Sequence, residues 1–339
     1  MGWFLLNVIY TLFMKLKQFI IPALIATPVV AFAGQTLNGA GATFPAPIYQ
    51  RWFGDYAKSS GNRVNYQSIG SGAGIRQFIA GTVDFGASDE PITAKDTAKV
   101  KRGVVQIPMV GGTIAVAYNK PGCNLKLTQE QVVGVFNGKI NDWKQLKCAS
   151  GPITVVHRSD GSGTTFAFTN SLRAFSPTWT VGVAKSVNWP TGLGAKGNEG
   201  VSATIKQKPG TIGYVSYSFV KEGRLQAAAI QNKAGKFVLP NAASGSAALN
   251  QIKIDPLTLA GEDPNPAGAR SYPISTLTWV LAYKTGNGAK INLWYNETMK
   301  EWRWTLVDSE LNMESGGQPD LRLAMNDVAN TVEYLIGKE

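Results

Sequence analysis

Residues 153–173 read ITVVHRSDGSGTTFAFTNSLR, and this stretch contains the local pattern that decides the fold. The branched apolar residues at 153–157 predict a strand. The segment 158–164 is rich in glycine and hydroxyl side chains and predicts a turn, after which residues 165–173 are predicted to be helical. A strand that runs through a tight turn into a helix is the repeating unit of α/β proteins.

The same alternation of strands and helices continues on both sides of this stretch. Further strands are predicted at residues 63–69, 104–110, 113–118, 211–217 and 276–283. A helix is predicted over 77–80, and the pair Gly111-Gly112 is expected to separate two of the strands. Residues 255–268, which are rich in proline, glycine and alanine, are expected to connect elements or lobes. Because the chain has 339 residues, the pattern predicts an α/β protein of two domains.

The composition excludes several classes of site. The chain contains 33 Lys plus Arg, 22 Asp plus Glu, one His and two Cys, with a formal net charge of +11. One histidine and two cysteines cannot build a zinc finger, a haem site or an iron–sulfur cluster, so no metal or cofactor is expected. The positive charge indicates an anionic partner, and nucleic acid, an anionic membrane and a small oxyanion all fit it. Because the basic residues are scattered, we expect no nucleic-acid face.

Residues 1–33 have the pattern of a secretory signal peptide. Two lysines precede an apolar run, residues 19–33, and this run ends in Ala31-Phe-Ala33, which is typical of a signal-peptidase site. A run of about 15 residues is short for a bilayer span, although the apolar residues 2–13 leave a membrane anchor as the alternative. We therefore expect cleavage near Ala33 and export to the periplasm. The mature net charge would be +9, because two lysines and no acids are removed.

Export has a consequence for the two cysteines. Cys123 and Cys148 enclose a loop of about 25 residues and are expected to pair in an oxidising compartment. In the chain-entropy model such a bridge contributes on the order of 3 kcal/mol. The alternative is a pair of buried free thiols.

Three segments combine small residues and a hydroxyl at a turn before a predicted helix, namely residues 39–44, 69–74 and 160–165. Glycine allows the backbone to approach a ligand closely, and the first turn of a helix has unpaired N–H groups with partial positive charge. This combination suits a tetrahedral oxyanion, whereas a single such segment is more often an ordinary helix N-cap. None of the three completes a dinucleotide-binding motif, a P-loop or the frame of a nucleophile elbow.

Four ordered motifs around these turns resemble a known family. The motifs are NGAGATFPAP at residues 38–47, VNYQSIGS at 64–71, VDFGASD at 83–89 and RSDGSGT at 158–164. They are similar to motifs of the PstS family of phosphate-specific periplasmic binding proteins. Similar segments at residues 188–198 and 209–214 add to the resemblance, which covers most of the chain beyond residue 36.

The resemblance implies a type II periplasmic binding protein fold. In this fold two lobes, each a mixed sheet flanked by helices, close on phosphate in the cleft between them. Lobe one is expected to comprise residues 34–110 and 272–339 and lobe two residues 111–271, with crossings near Val110 and Tyr272. The resemblance also implies a monomer without enzymatic activity that delivers phosphate to the membrane permease subunits of an ABC-type importer.

The resemblance assigns the phosphate contacts motif by motif. The expected contacts are Thr43, Phe44, Ser71, Asp89, Arg158, Ser162, Gly163 and Thr164. Backbone N–H groups of the Thr-Phe pair and of the Ser-Gly-Thr turn are expected to donate to the anion, while Arg158 supplies the one full positive charge. Asp160 is expected to orient Arg158 rather than to touch phosphate.

Asp89 carries the ligand selectivity in this prediction. Without the resemblance, the pattern favours a helix N-cap before Glu90-Pro91. As a ligand-binding residue, Asp89 can accept a hydrogen bond from phosphate, which carries a proton at neutral pH, but not from sulfate, which carries none. Burial of two facing anions would cost several kcal/mol, so sulfate is disfavoured. Arsenate carries a similar proton and stays an alternative, and a receptor for sulfate or molybdate is the weaker one.

A different class of function also stays open. An exported phosphatase or esterase would use Ser71 or Ser162 as nucleophile, with His157 as the available base. Because successive side chains of a strand point to opposite faces, His157 is expected to face away from Arg158 and to be structural.

The end of the chain departs from the family pattern. Members of the family usually end with a helix that contains a Gly-Gln pair, a Gly-Tyr-Ala-Pro turn and a final helix. Residues 291–302 read INLWYNETMKEW and match none of these. We expect a divergent end, or the product of an altered reading frame, that changes the packing of lobe one without removing any of the expected phosphate contacts.

Overall fold

The computed structural model describes residues 36–286, 289–296, 298–307, 313–320, 323–324 and 327. The expected signal peptide lies outside these residues. Within the part of the chain that is described, no helix is both long enough and apolar enough to cross a bilayer.

Short strands and helices alternate through most of the described chain. The strands are β1 (Thr36–Gly41), β2 (Arg63–Ser68), β3 (Phe85–Ser88), β4 (Val104–Asn119), β5 (Lys126–Leu127), β6 (Thr154–Arg158), β7 (Leu193–Ala195), β8 (Thr211–Ser216), β9 (Gln226–Ala227), β10 (Ala229–Gln231), β11 (Phe237–Val238), β12 (Ser275–Tyr283), β13 (Thr285–Gly286), β14 (Ala289–Asn296), β15 (Glu301–Val307) and β16 (Met313–Gln318). The helices are α1 (Ala46–Ser60), α2 (Ser71–Ala80), α3 (Ala94–Thr97), α4 (Gln129–Phe136), α5 (Gly163–Phe175), α6 (Gly197–Gln207), α7 (Tyr217–Gly223) and α8 (Ala242–Leu249), with a 3₁₀ turn at Trp143–Leu146.

Most of the long strands belong to one mixed sheet. Its strand order is β2-β1-β3-β12-β4-β8-β6-β7, with β9 paired to β4. The β1 strand is parallel to β2 and β3, and β6 is parallel to β7 and β8, whereas β12 and β4 run antiparallel to their neighbours. The predicted α/β class is therefore confirmed.

The long strand β4 pairs with different neighbours along its two parts. Residues 104–113 pair with β12 and residues 114–119 pair with β8. We refer to β2, β1, β3, β12 and residues 104–113 as the first half of the sheet, and to residues 114–119, β8, β6 and β7 as the second half. A continuous strand thus connects the two halves without a loop.

The prediction that Gly111-Gly112 separates two strands is wrong. Both glycines lie inside β4 and pair with β12, as Gly111 with Leu277 and Gly112 with Thr276. A Cβ on Gly111 would lie only 2.7 Å from the Leu249 side chain of α8. Glycine at this position therefore permits close packing against a helix and does not interrupt the strand.

Two of the helices are longer in the structure than predicted. The α2 helix begins at Ser71, earlier than predicted, and α5 extends beyond the predicted range in both directions. The Ser162 hydroxyl caps α5 by accepting a hydrogen bond from the main-chain N–H of Thr165 at 3.0 Å. The α4 helix begins with a reciprocal capping box between Thr128 and Gln131.

Each half of the sheet has its own apolar core. Phe78, Trp279 and Leu281 belong to the cluster of the first half. The larger cluster of the second half is built on aromatic side chains: Phe136, Trp143, Phe168, Trp179 and Tyr214. Two smaller buried clusters include Val156, Val201 and Val215 in the second half and Ala42, Tyr49 and Ala87 beside the first half.

Cys123 and Cys148 form a disulfide with a Cα–Cα separation of 5.5 Å. Cys123 is buried in the core of the second half, and the partly buried Cys148 packs against the same core. The bridge therefore joins the loop that follows β4 to the segment that follows the 3₁₀ turn.

The end of the chain forms a separate antiparallel sheet of β13, β14, β15 and β16 in that order. Its backbone pairing extends from Thr285–Lys290 to Trp302–Gln318. Among the described side chains of this sheet, Trp304 and Leu306 are buried. The described residues among 291–302, which depart from the family pattern, therefore belong to a β-meander in the structure.

We expect the double substitution Cys123→Ser/Cys148→Ser to lower the free energy of unfolding by about 3 kcal/mol, because the bridge no longer restricts the unfolded chain. Urea unfolding followed by tryptophan fluorescence measures this difference. A reducing agent should destabilise the unsubstituted protein and leave the double variant unchanged. Equal stabilities of the two proteins under oxidising conditions would contradict the prediction.

Candidate anion-binding site

Four turns meet at the carboxyl ends of sheet strands. Residues 42–45 connect β1 to α1, residues 69–70 connect β2 to α2, Asp89 follows β3, and residues 159–162 connect β6 to α5. In α/β sheets the crevice outside the carboxyl ends of parallel strands is the usual place for a ligand. The three helices that begin here direct N-terminal N–H groups toward this region.

The structure brings all the expected contact residues into one buried cluster. Among Thr43, Phe44, Ser71, Asp89, Arg158, Ser162 and Thr164, each residue exposes less than 5% of its surface. Gly163 is also buried. A Cβ on Gly163 would lie 2.6 Å from both the Ser71 Oγ and the Asp89 main-chain nitrogen. Glycine is therefore required for the close approach of α5 to the first half.

Hydrogen bonds connect the two halves directly at this cluster. The Thr164 hydroxyl donates to Asp89 Oδ2 at 3.0 Å, and the Gly72 N–H donates to the Gly161 carbonyl at 2.8 Å. Further from the centre, Lys185 forms an ion pair with Glu90. The turns of the two halves are thus in contact in this structure.

Asp89 is a buried carboxylate that accepts hydrogen bonds from two side-chain hydroxyls. Its Oδ1 accepts from the Thr278 hydroxyl at 2.7 Å and its Oδ2 from the Thr164 hydroxyl, while its own N–H donates to Ser71 Oγ at 3.3 Å. Burial raises the pKa of Asp89 to about 6, although the two hydroxyl donors and the charge of Arg158 act in the opposite direction. The alternative interpretation as a helix N-cap is wrong, because the next helix, α3, is capped by Thr93.

Arg158 is held by Asp160 through two parallel hydrogen bonds. The Nε and Nη2 atoms donate to the two carboxylate oxygens at 2.7 and 2.5 Å. Asp160 also accepts from the Gly197 N–H at 3.0 Å. Partial burial raises the pKa of Asp160, but the guanidinium of Arg158 lowers it more, so this pKa lies below its ordinary value. The remaining nitrogen, Nη1, lies 3.5 Å from the Thr164 hydroxyl, so this edge of Arg158 faces the cluster.

The interpretation of the sequence missed two residues of the cluster, Asn198 and Thr278. The Asn198 amide donates to the Thr43 hydroxyl at 2.7 Å and to the Thr164 hydroxyl at 3.2 Å, and its oxygen accepts from the Ser216 N–H. Asn198 lies in the first turn of α6, within a segment that resembles the family. Its Gly-Asn helix start was a usable signal, whereas a threonine within an apolar strand gives no such signal.

His157 lies away from the cluster, on the other side of β6 from Arg158. Its ring stacks on Trp189 with a centroid separation of 5.2 Å, and its Nδ1 contacts the Arg158 carbonyl. Burial lowers its pKa, which favours the neutral imidazole. The Ser71 and Ser162 hydroxyls instead accept hydrogen bonds from main-chain N–H groups. This arrangement does not form a nucleophile–base pair.

Comparison with known proteins shows extensive similarity to binding proteins. A family model described as a PBP superfamily domain matches residues 26–303. The phosphate-binding protein PstS of Pasteurella multocida is 43% identical over 287 residues, which cover 80% of this chain and 83% of the relative. The PstS of Haemophilus influenzae is 42% identical over 287 residues, with 80% and 84% coverage.

Solved structures show the same architecture. A high-affinity periplasmic phosphate-binding protein determined with bound phosphate matches with a TM-score of 0.62 and 26% identity, over 74% of this chain and 81% of that chain. A phosphate-binding protein from Stenotrophomonas maltophilia matches with a TM-score of 0.59 and 23% identity, over 74% and 79%. The latter similarity supports the fold alone.

The buried Asp89 makes a prediction about stability. Its folded pKa of about 6 lies above the ordinary value of 3.8, so the native state binds more protons than the unfolded state between these values. The free energy of unfolding therefore falls as the pH rises from 4 to 6, by up to about 3 kcal/mol from this group alone.

We expect Asp89→Asn to remove this pH dependence. Urea unfolding of both proteins in the absence of ligand, at intervals between pH 4 and pH 7.5, measures the difference. The variant should gain stability relative to the unsubstituted protein as the pH rises from about 4 through 6, and the difference should become constant above about pH 7. Parallel stability curves over the whole range would show that Asp89 titrates normally.

Proposed function

The chain belongs to the PstS family of phosphate-binding proteins, and from this premise we propose that it binds inorganic phosphate in the periplasm and delivers it to an ABC-type importer. The single observation that carries the proposal is a buried carboxylate, Asp89, in the same cluster as a buried guanidinium, Arg158. A carboxylate is unfavourable beside most anions, but it is a suitable acceptor for an oxyanion that carries its own proton.

Each residue of the cluster has a proposed role at the phosphate. Arg158 supplies positive charge and is held in orientation by Asp160. The hydroxyls and main-chain N–H groups of the turns donate to the phosphate oxygens. These contacts are assigned to Thr43, Phe44, Ser71, Ser162, Gly163 and Thr164. The ionised Asp89 accepts a hydrogen bond from the protonated oxygen of phosphate, and this acceptor discriminates against sulfate, which has no O–H to donate at neutral pH.

The two halves of the sheet correspond to two proposed lobes. Lobe one comprises residues 34–110 and 272–339, and lobe two comprises residues 111–271. The continuity of β4 through Val110 and the position of β12 just after Tyr272 support these crossings. Phosphate would favour the state in which turns of both lobes are in contact, because only that state combines the donors of both.

The proposal requires no covalent chemistry. The separation of His157 from Ser71 and Ser162 gives no support to the hydrolase alternative. We propose that the exported protein acts as a monomer, without nucleic acid, and that its partners are the membrane permease subunits of the importer. Arsenate, which carries a comparable proton, should occupy the same site.

Isothermal titration calorimetry with phosphate, arsenate and sulfate tests the proposed function. At pH 7.5 we expect saturable binding of phosphate and arsenate, and sulfate binding weaker by at least about a hundredfold, because one buried acceptor would be left facing an anion. A sample without any heat of phosphate binding, and without phosphate-dependent protection against thermal unfolding, would refute phosphate binding.

The substitution Asp89→Asn tests the origin of selectivity. The amide can donate to an unprotonated oxyanion, so the affinity for sulfate should rise relative to that for phosphate by about tenfold or more. Asp84→Asn is the matched control, because Asp84 also lies in lobe one but accepts a hydrogen bond from the exposed Asn38 N–H outside the cluster. An unchanged phosphate-to-sulfate ratio in Asp89→Asn would exclude the assigned role.

A further inference from the structure

Thr278 is a fully buried polar residue on β12, in the first half of the sheet. Its hydroxyl donates to Asp89 Oδ1 at 2.7 Å. The strands β3 and β12 are direct neighbours, with Ser88 paired to Trp279, so the backbone itself places Thr278 beside Asp89. The donor and the carboxylate therefore belong to the same half.

The second donor to this carboxylate, Thr164, lies on the side of the other half of the sheet. Thr164, which donates to Asp89 Oδ2, lies in the first turn of α5 and packs with the second half. Separation of the two lobes would remove this bond, because its partners lie on opposite sides of the cleft. The bond from Thr278 would persist, because both of its partners are held by adjacent strands.

The pairing of β12 with its other neighbouring strand, β4, is irregular at Thr278. Thr278 pairs with Val110, whereas Trp279 pairs with Pro108, so that Met109 is an additional residue in β4. This β-bulge bends the strand locally, at the point where β4 begins its passage into the second half. The donor to Asp89 thus lies beside the crossing between the halves.

Packing alone does not require a hydroxyl at position 278. The next residue on the same face of β12, Val280, packs against an apolar cluster that includes Tyr49 and Ala87. Valine has nearly the shape of threonine, so an apolar residue would fill the space. The hydroxyl of Thr278 is therefore explained by the carboxylate that it contacts.

We propose that Thr278 is a positioning residue that sets ligand selectivity by holding the Asp89 carboxylate ionised and correctly oriented before the lobes close. The proposal rests on the proposed function of phosphate binding. An ionised carboxylate fixed in this way can only accept, so it admits an oxyanion with a proton and disfavours one without. A protonated Asp89 would instead donate, and sulfate would become an acceptable ligand.

The surroundings of Asp89 make this donor important. The guanidinium of Arg158 faces it from the second lobe, and the phenols of Tyr49 and Tyr66 lie close to it in the first. Glu262 and Asp263 line a small cavity that also reaches Asp89. Burial favours the neutral carboxyl group, and the hydrogen bond from Thr278 is the strongest of the interactions that oppose it.

Thr278→Val tests the proposal, with Thr278→Ser as the conservative variant and Thr276→Val as the matched control. The Thr276 hydroxyl lies two residues away on the same face but donates to the main-chain carbonyls of Asp89 and Leu277, not to the carboxylate. Calorimetry with phosphate and with sulfate between pH 5 and pH 8.5 is the first measurement. The second is the pKa of Asp89 in the ligand-free protein, from the carboxyl ¹³C shift compared with that of Asp89→Asn.

In Thr278→Val, loss of a hydrogen bond to a charged group should raise the Asp89 pKa by about one to two pH units. Sulfate binding should then extend to correspondingly higher pH, and the phosphate-to-sulfate ratio at pH 7 should fall by about tenfold or more. Thr278→Ser should restore both properties. Thr276→Val should show the unsubstituted pH profile, even where its stability is lower.

Two results would overturn the inference. An unchanged Asp89 pKa and sulfate profile in Thr278→Val would show that the hydroxyl does not control the carboxylate. Equal changes in Thr278→Val and Thr276→Val would show a general effect of packing. Absence of phosphate binding by the unsubstituted protein would instead refute the proposed function, and the ¹³C titration would still test the control of Asp89 by Thr278. If Thr278→Val does not fold, the carboxyl titration of Thr278→Ala, which also lacks the hydroxyl donor, decides: a raised pKa of Asp89 supports the proposal, and an unchanged pKa contradicts it.

Discussion

The arrangement of the site depends on the burial of one carboxylate close to one guanidinium. Burial of an isolated carboxylate is costly, so the surrounding chain has to supply donors to it. The hydroxyls of Thr278 and Thr164 do so, and Arg158 adds positive charge. This compensation is incomplete, because the pKa of Asp89 stays at about 6. A ligand whose own O–H donates a hydrogen bond to Asp89 would supply a further donor that the chain does not.

The sheet topology explains how these groups meet although they are far apart in sequence. Strands β1 and β3 are parallel to each other, whereas β6 runs in the opposite direction, because three antiparallel pairings separate it from them. The carboxyl ends of the two sets therefore meet from opposite sides, and each strand continues into a short turn. The shared strand β4 brings the two parallel sets into one sheet, and β12 is inserted between β3 and β4. Asp89 therefore receives one donor along its own half, from Thr278, and another across the halves, from Thr164. In the proposed function, selectivity and closure are therefore connected through the same carboxylate.

Much of this could be predicted from the sequence because its signals are local. Each strand–turn–helix unit is contiguous, so the α/β class and the segments around residues 39–44, 69–74 and 160–165 were identified without a structure. The pairing of Asp89 with Thr278 was not, because it joins residues 189 positions apart and follows from strand order. The same limit applies to Gly111. Glycine is in general unfavourable inside a strand, but Gly111 lies against Leu249 of α8, a helix that is distant in sequence and packs on β4.

The net charge of the chain gave the first indication of an anionic partner, but the net charge of the proposed site does not attract an anion. The guanidinium of Arg158 is already paired with Asp160, and Asp89 adds a second negative charge to the cluster. These three side chains together are formally negative when Asp89 is ionised, so attraction between net charges cannot hold an anion there. Oriented N–H and hydroxyl donors must do so, and their contribution is large because the cluster is buried and poorly screened. The excess of lysine and arginine is spread over the chain, so it can guide the approach of an anion. In the proposed site, the choice between anions depends on which of them has an O–H that can donate a hydrogen bond to Asp89.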